Sequence, residues 1–498
     1  MDADPAPRGT PLYDTAALRA VEARAARHTG DAFTLMARAG LAAWREVLAR
    51  WPDAQRIVVA CGPGNNGGDG YELARHAQQS GRTVRVLRLD AHAPRTPLAQ
   101  RACAGFLEAG GQVSDPAGGL GGADLIVDAL FGIGLARAPD ADASAFIEAI
   151  NAAPVPVLSL DTPSGLDADT GSAPGAVVEA THTLQLLGAH PGLCTGIAPR
   201  CTGSLSLDML EAGRLLEDAS VAAWRLSADD LRGWLAPRRR DAHKGDSGHV
   251  LCVGGEIGTG GAVMLAAEAA LRCGAGLVSV ATRGEHVAAM LARRPEVMAR
   301  GVDSSAVLEA MLARAHVIAL GPGLGQGDWG QALYRQVLAS GRRTLLDADA
   351  LNLLARDTRT LPADSVLTPH PGEAARLLGV SVAEVQGNRY AAARLLAEMH
   401  GCVVVLKGAG SLVAAPGQVP RVIAAGNPGM AVGGMGDVLG GCIAALWTQG
   451  LAPFDAACCG TLLHAVAGDA AAGDGERGLL PGDLLDALRH GVNPGAAP

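Results

Sequence analysis

The residues best suited to chemistry lie in short glycine-rich stretches that each follow an apolar run. The first is Gly62-Pro63-Gly64-Asn65-Asn66-Gly67-Gly68-Asp69-Gly70. Gly62, Gly64 and Gly67 form GxGxxG, and Asp90 lies about 20 residues further on. Taken alone this is a dinucleotide fingerprint, in which glycines let the backbone approach a pyrophosphate at a helix N-terminus. A glycine turn without a ligand is the plainer alternative. Asn65, Asn66 and Asp69, however, place carboxamides and a carboxylate where hydride-transfer loops usually carry small apolar residues. Two further acids end apolar runs: Asp128, before Phe131-Gly132-Ile133-Gly134, and Asp161, before Thr162-Pro163-Ser164. Oxygens from Asn, Asp and Ser suit a hard cation and not zinc. Each Asp could instead serve as a helix N-cap.

The second half repeats the arrangement with different residues. His243-Lys244-Gly245 precedes an apolar run that leads into Gly254-Gly255-Glu256, and Gly321-Pro322-Gly323-Leu324-Gly325 follows another. Asp347-Ala348-Asp349, Thr368-Pro369-His370-Pro371-Gly372-Glu373 and Lys407-Gly408-Ala409-Gly410-Ser411 come next. The last stretch, Asn427 to Val438, holds Gly433-Gly434-Met435-Gly436-Asp437. Successive glycines opening a helix expose N–H groups that make an anion hole. An Asp there can take a proton from a hydroxyl beside a transferring phosphoryl group. Glycine packing with Asp437 as a cap is the structural alternative, and His370 could equally be a buried, hydrogen-bonded core residue.

The elements that must hold these residues alternate. Helical patterns cover Thr15 to Thr29 and Phe33 to Arg50. Ile57 to Cys61, Val84 to Leu89, Leu125 to Asp128 and Val155 to Leu160 read as strands, with helices over Tyr71 to Ser80, Pro97 to Ala109 and Ala143 to Ala152. Such alternation predicts βαβ units and a parallel sheet. The rhythm stops in the charged stretch around 212–242 and then restarts, which puts a domain boundary near 215–228. Beyond it, strands are predicted over Val250 to Val253, Leu277 to Ala281, Val317 to Ala319, Thr344 to Asp347 and Val403 to Leu406. Helices are predicted over Gly261 to Gly274, Ala431 to Leu446 and Ala456 to Ala472.

Composition sets the limits. The 498 residues suffice for two large α/β domains. With 49% hydrophobic and 18% charged residues the chain is globular in character. A net charge of −9 argues against a nucleic-acid partner. The ten cysteines form no CxxC pair and read as reduced core residues. The N-terminus lacks a basic segment followed by an apolar one, and no apolar run approaches ~18 residues. A cytoplasmic enzyme with no membrane partner is the expectation.

These motifs carry a resemblance. The TLMARAG stretch (34–40), NNGGDG (65–70), the Asp128 strand with Gly132 to Leu135, and LDTPSGLDADTG (160–171) resemble the YjeF N-terminal domain, the NAD(P)H-hydrate epimerase. The resemblance implies a Rossmann-like three-layer sandwich over 1–215. It implies hydrate binding by Asn65, Asn66, Gly67, Gly68 and Asp69 and by the loop Gly132, Ile133, Gly134, Leu135, Ala136, Arg137 and Ala138. It also implies a potassium ion held by Asn66, Asp128 and Ser164, with Asp161 both binding the hydrate and acting as acid/base. GGxGD opening a helix marks ribokinase-like kinases. The ordered set HKG, GPGLG, DADALNLL, TPHPGE, KGAG and NPGMA resembles the YjeF C-terminal domain, the ADP- or ATP-dependent NAD(P)H-hydrate dehydratase. That implies a ribokinase-like α/β domain over 226–498. Hydrate contacts are then expected at Ala262, Gly323, His370 and Asp437. Nucleotide contacts are expected at Lys407, Gly408, Ala409, Gly410, Ser411 and Gly436, with Asp437 catalytic and Mg²⁺ accompanying ADP or ATP. The chain departs from the family pattern at Ala37 (usually Glu), His190 (usually Lys), Val432 (often Thr) and Met435 (often Ser or Thr). The expected function is repair of hydrated nicotinamide cofactors, NADHX and NADPHX, by a homo-oligomeric fused enzyme. The rivals are a vitamin kinase fused to a nucleotide-binding regulator, and a first domain that only binds.

Overall fold

The computed structural model describes residues 9–134, 137–357, 359–362 and 364–495. Contacts divide the chain into two compact units, one from Pro11 to Ala223 and one from Trp224 onward that also takes in Gly9 and Thr10.

The first unit is built on strands β1 (Arg56–Cys61), β2 (Thr83–Leu87), β3 (Val113–Ser114), β4 (Leu125–Ala129), β5 (Val157–Leu160), β6 (His182–Leu186) and β7 (Ser204–Asp208). They lie in the order β3-β2-β1-β4-β5-β6-β7. Each neighbouring pair is parallel. Side chains alternate across the sheet, as the two-residue strand period requires. Ile57, Val59 and Cys61 enter a cluster with the helices Phe33–Arg50 and Asn65–Gln79. Val58 and Ala60 face the opposite way, towards Phe146, Ile147 and Ile150 of the helix Ala141–Asn151. Both faces are therefore covered, which explains why these strands read as continuous apolar runs.

The strand order reverses between β1 and β4, and in open α/β sheets a crevice forms there at the carboxyl ends. Gly62, just past β1, is pressed against the loop beyond β4. A Cβ on it would lie 1.7 Å from the Leu130 carbonyl oxygen, and a Cβ on Gly67 would lie 2.0 Å from the Gly62 oxygen. The helix there begins at Asn65. That is earlier than the Tyr71 start read from the sequence, because the glycine loop itself forms the first turn.

The second unit carries β8 (Ala223–Leu226), β9 (His249–Val253), β10 (Leu277–Thr282), β11 (Met298–Gly301), β12 (Val317–Leu320), β13 (Thr344–Leu346), β14 (Ser365–Leu367), β15 (Val403–Leu406), β16 (Ser411–Ala414) and β17 (Arg421–Ile423). Their order is β8-β17-β16-β15-β14-β13-β12-β9-β10-β11. The run from β15 to β11 is parallel, while β15–β16 and β16–β17 are antiparallel. One face packs alternate residues of β9, β10 and β12 against the Ala-rich helices Gly260–Arg272, Met435–Thr448 and Pro453–Ala471. The helix Met435–Thr448 starts later than the Ala431 read from the sequence. Gly434 takes a left-handed φ of 99° immediately before it and ends the preceding loop. All ten cysteines are buried free thiols. Among the described residues no helix is long and apolar enough to cross a membrane.

The glycine contacts make a stability prediction. Gly62→Ala forces a methyl group onto a backbone oxygen and should cost at least about 2 kcal/mol, a fall in melting temperature of roughly 4–8 °C. Gly64→Ala, where a Cβ meets nothing within 4 Å, should stay within about 0.5 kcal/mol of the parent. Equal thermal unfolding of the two variants would contradict this reading of the crevice.

Candidate functional site

In the first unit Asp161 directly follows β5 and has a φ of 67°, a left-handed conformation costly for a residue with a Cβ. The position is held because its N–H donates to the Leu184 carbonyl at 2.7 Å. Its Oδ1 accepts from the Leu186 N–H at 3.3 Å and pairs with His190 Nε2 at 3.0 Å. His190 is fully buried, its N–H donates to Gln185 Oε1 at 2.9 Å, and its Nδ1 has no partner. The family's Lys position is thus filled by an imidazole that touches the expected catalytic carboxylate.

Asp161 lines a cavity of about 290 Å³ together with Asn65, Asp69, Ile133, Arg19 and Glu22. Burial, reinforced by Asp161, Glu22 and Glu72, pushes the Asp69 carboxyl well above its ordinary range. Burial and Asp161 also raise Glu22, against the opposing charges of Arg19 and His190. Glu22 comes from the helix Thr15–Thr29, far from every motif, and the sequence carried no signal for it.

Asp128 ends up wholly buried. Its Oδ1 accepts from Ser164 Oγ at 2.6 Å and Leu130 N at 3.2 Å, and its Oδ2 from Ser159 Oγ at 2.8 Å and Ser164 N at 2.9 Å. Burial still raises it against those donors. The Phe131 backbone links the remaining expected ligands: its carbonyl accepts from Asn66 Nδ2 at 3.0 Å and its N–H donates to Ser164 Oγ at 2.8 Å. Asn66 Oδ1 is buried without a partner. Oxygen donors with an orphaned carbonyl among them fit a hard monovalent cation. Gly132 sits against both groups, since a Cβ there would lie 3.2 Å from Asn66 Cβ and 3.4 Å from Asp161 Oδ2. Gly67 and Gly68 are buried in the helix, and Gly134 lies beside Arg19. Arg137 and Ala138 are exposed. Leu135 and Ala136 lie outside the described residues.

In the second unit the order reverses between β9 and β12, and the loops after these two strands are stitched together. The Gly323 carbonyl accepts from Glu256 N at 2.6 Å and Thr259 Oγ1 at 2.9 Å, and Gly325 N donates to Asp349 Oδ2 at 2.9 Å. Ala262 sits in the first turn of the helix Gly260–Arg272. Lys407 follows β15, but its side chain turns inward: Nζ is 2.6 Å from Asp347 Oδ1 and 3.9 Å from Glu373 Oε2. Burial works against its charge, yet Asp347 and Glu373 prevail and hold its pKa above the usual lysine value. A Cβ on Gly436 would lie 3.3 Å from Lys407 Nζ and 3.5 Å from Asp347 Oδ2, so the absent side chain lets this pair approach the start of the helix that carries Asp437. Burial, with Asp347 reinforcing and Lys407 opposing, pushes Asp437 up to about 7. Glu373 is pushed to about 7 by burial, opposed chiefly by Lys407.

Gly408, Ala409 and Gly410 form the turn of the β15–β16 hairpin, and Ser411 Oγ donates back to the Gly408 carbonyl at 3.1 Å. The buried Arg389 guanidinium braces that turn, donating to the carbonyls of Leu406 (3.3 Å), Lys407 (3.2 Å) and Gly410 (3.4 Å). His370 caps the helix Pro371–Leu378. Its Nδ1 accepts from the N–H groups of Gly372 at 3.0 Å and Glu373 at 3.4 Å. With Nδ1 occupied as an acceptor, the half-exposed ring offers Nε2–H as a donor. Asp347, Glu373 and Arg389 were not singled out from the sequence as site residues. The first two stood inside recognised motifs, where their inward direction depends on the fold.

Residues 250–490 match the family described as NAD(P)H-hydrate dehydratase, and residues 32–192 match the family described as YjeF-related protein N-terminus. Among curated proteins the chain is 46% identical over 468 residues to the bifunctional NAD(P)H-hydrate repair enzyme Nnr of Escherichia coli, covering 93% of this chain and 90% of that one. The enzyme of the same name from Coxiella burnetii is 44% identical over 492 residues, covering 97% and 100%. Among solved structures, a ribokinase-like superfamily protein from Enterococcus faecalis is similar at a TM-score of 0.51 and 30% identity, over 54% of this chain and 94% of that one.

The two buried acids near Lys407, Asp437 and Glu373, carry a pH prediction. Asp437 and Glu373 titrate near 7 when folded, against about 4 when unfolded. The folded chain therefore binds more protons between these values, and stability falls as pH rises from about 4 to about 7. Asp437→Asn should gain about 1–3 kcal/mol over the parent at pH 8 and almost nothing at pH 4.5. Chemical denaturation at both pH values checks this. A variant less stable than the parent at pH 8 would contradict it.

Proposed function

Because the chain belongs to the family of bifunctional NAD(P)H-hydrate repair enzymes, we propose that its halves perform the two steps of that repair. Residues 1–215 interconvert the R and S hydrates of NADH and NADPH. Residues 226–498 dehydrate the S epimer at the expense of ADP or ATP. The observation that carries the reading is Asp437, set at a glycine-exposed helix start beside the buried Lys407–Asp347 pair.

In the second unit hydroxide is a poor leaving group from C6 of the hydrate. Asp437 takes the proton of that hydroxyl as its oxygen attacks the terminal phosphoryl group of the nucleotide. The N–H groups from Gly433 to Gly436 face the charge that develops, reinforced by the helix N-terminus. Phosphate leaves C6 as the ring-nitrogen lone pair pushes, and loss of the C5 proton restores the dihydronicotinamide. The Lys407–Asp347 ion pair, its two charges offsetting each other, packs beneath Gly436 and fixes the helix start that carries Asp437. His370 Nε2–H can donate to an acceptor on the hydrate. The 407–411 turn, braced by Arg389, presents backbone N–H groups to the nucleotide. Mg²⁺ bound to the nucleotide would neutralise phosphate charge. Among the described residues no group of three or more His, Cys, Asp or Glu is placed to cage a metal ion, which suits an ion carried by the phosphates.

In the first unit the hydrate's C6 carries a hydroxyl on a carbon bonded to nitrogen, a centre that a positioned carboxylate can help break and remake. Asp161, held by His190 and Leu186, supplies it. Asn65, Asp69 and Ile133 line the space around the ring. Asn66, Asp128 and Ser164 would hold K⁺, whose charge would offset that of buried Asp128 and polarise the site. Buried free thiols throughout fit a reducing, cytoplasmic setting.

Two variants separate the halves. Asp437→Asn should lower nucleotide-dependent dehydration of the S hydrate by about 10²–10⁴-fold and leave epimerisation intact. Asp161→Asn should do the reverse. Absorbance recovery and chiral separation of the hydrates measure the two rates. Undiminished dehydration by the first variant, or undiminished epimerisation by the second, would overturn the assignment.

A further inference from the structure

We propose that Asp69 is a second catalytic residue of the first unit, working as the acid opposite Asp161 in epimerisation by loss and re-addition of the C6 hydroxyl. This rests on the reading of that unit as the hydrate epimerase. The two carboxyl groups come from different elements. Asp69 stands in the second turn of the helix after β1, and Asp161 stands at the end of β5. Both line the same cavity of about 290 Å³, so one ring bound there lies within reach of each.

Their surroundings differ. The Leu186 N–H donates to Asp161 Oδ1 at 3.3 Å, and His190 Nε2 lies 3.0 Å from the same oxygen. Asp69 faces other carboxyl groups: Asp161, Glu22 and Glu72 all add to the burial that favours its protonated form. Glu72 is itself tied to Arg75 at 2.5 Å, and the charges of Arg19 and His190 act on Glu22. A carboxyl held towards its protonated form, facing one that accepts hydrogen bonds across the same cavity, suits separate acid and base roles.

The chemistry requires both roles. Asp69 gives its proton to the C6 hydroxyl oxygen. The C6–O bond breaks as the N1 lone pair forms a C6=N1 double bond, and water departs. Water then adds to C6 from the other face, its proton passes to Asp161, and the C6=N1 electron pair returns to N1. One C–O bond breaks, one forms, and one proton moves from Asp69 to Asp161. Asp161 then releases its proton to solvent water and Asp69 takes one up, which resets the pair for the next turnover, and the opposite epimer runs the same steps backwards.

The test uses the full chain, the purified R hydrate of NADH and no nucleotide, in ¹⁸O-labelled water, with an enzyme-free control. Wild-type protein should place one ¹⁸O at C6 per epimerisation event. Asp69→Asn should slow epimerisation at least about a hundredfold with KM for the hydrate changed less than about threefold, and Asp69→Glu should recover part of the rate. A thermal unfolding profile of each variant that overlays the parent's reports that the first unit is folded, and ADP-dependent dehydration of the S hydrate serves as the internal control for the second unit. A wild-type chain that does not epimerise would defeat the epimerase reading itself. Epimerisation by the wild type without ¹⁸O uptake would mean ring opening and closure, and would overturn the proposal. So would an Asp69→Asn rate within about threefold of wild type.

Discussion

A carboxylate taken out of water must find donors or keep its proton, and both units are arranged around that choice. Asp128 finds four donors and Asp347 finds Lys407. For Asp69, Glu373 and Asp437 burial outweighs the partners at hand and holds each well above the ordinary carboxyl range. The paired acids are structural anchors that fix loops. The others are held towards their protonated forms, Glu373 and Asp437 near pH 7, the property that general acid–base work needs.

Parallel sheets are what bring these groups together. Every strand from β1 to β7 points its carboxyl end to one rim, and so do β9 to β15. Loops far apart in sequence therefore share a crevice at each reversal of strand order. Glycine decides how closely they approach. At Gly62 a methyl group would have to displace a backbone oxygen, and at Gly436 it would press on the Lys407–Asp347 pair.

Much of this was legible in the residues. The helices Thr15–Thr29 and Phe33–Arg50 follow their apolar periodicity to the residue. Asp128 and Asp161 declared themselves by standing at the ends of apolar runs, and Asp437 by following successive glycines at a helix start. β6 did not, because His182, Thr183 and Gln185 read as polar. The strand is buried since His182 satisfies both ring nitrogens with Ser204 at 2.7 Å and Ser206 at 2.8 Å, partners that only strand pairing supplies. β3, two residues long, is too short for a period to show, and β11 is a half-exposed edge strand that lacks an apolar run. Lys407 was read as a nucleotide contact, while its Nζ turns to Asp347, a direction no spacing encodes. Glu22 and Arg389 lie outside every motif, and tertiary packing alone brings them to the sites. His190 was visible as a departure from the family pattern, but its contact with Asp161 was not.

Placing both steps in one chain has a physical consequence: a stereospecific dehydration can consume a mixed hydrate pool only if the other epimer is converted alongside it. The direct measurement is the extent of absorbance recovery when purified protein, Mg²⁺ and ADP or ATP are mixed with an R/S mixture of NADH hydrate. Recovery that requires nucleotide and runs past the S fraction, faster than spontaneous epimerisation, is the predicted result. Recovery that halts at the S fraction would contradict a working first unit, and no recovery with either nucleotide would contradict the account as a whole.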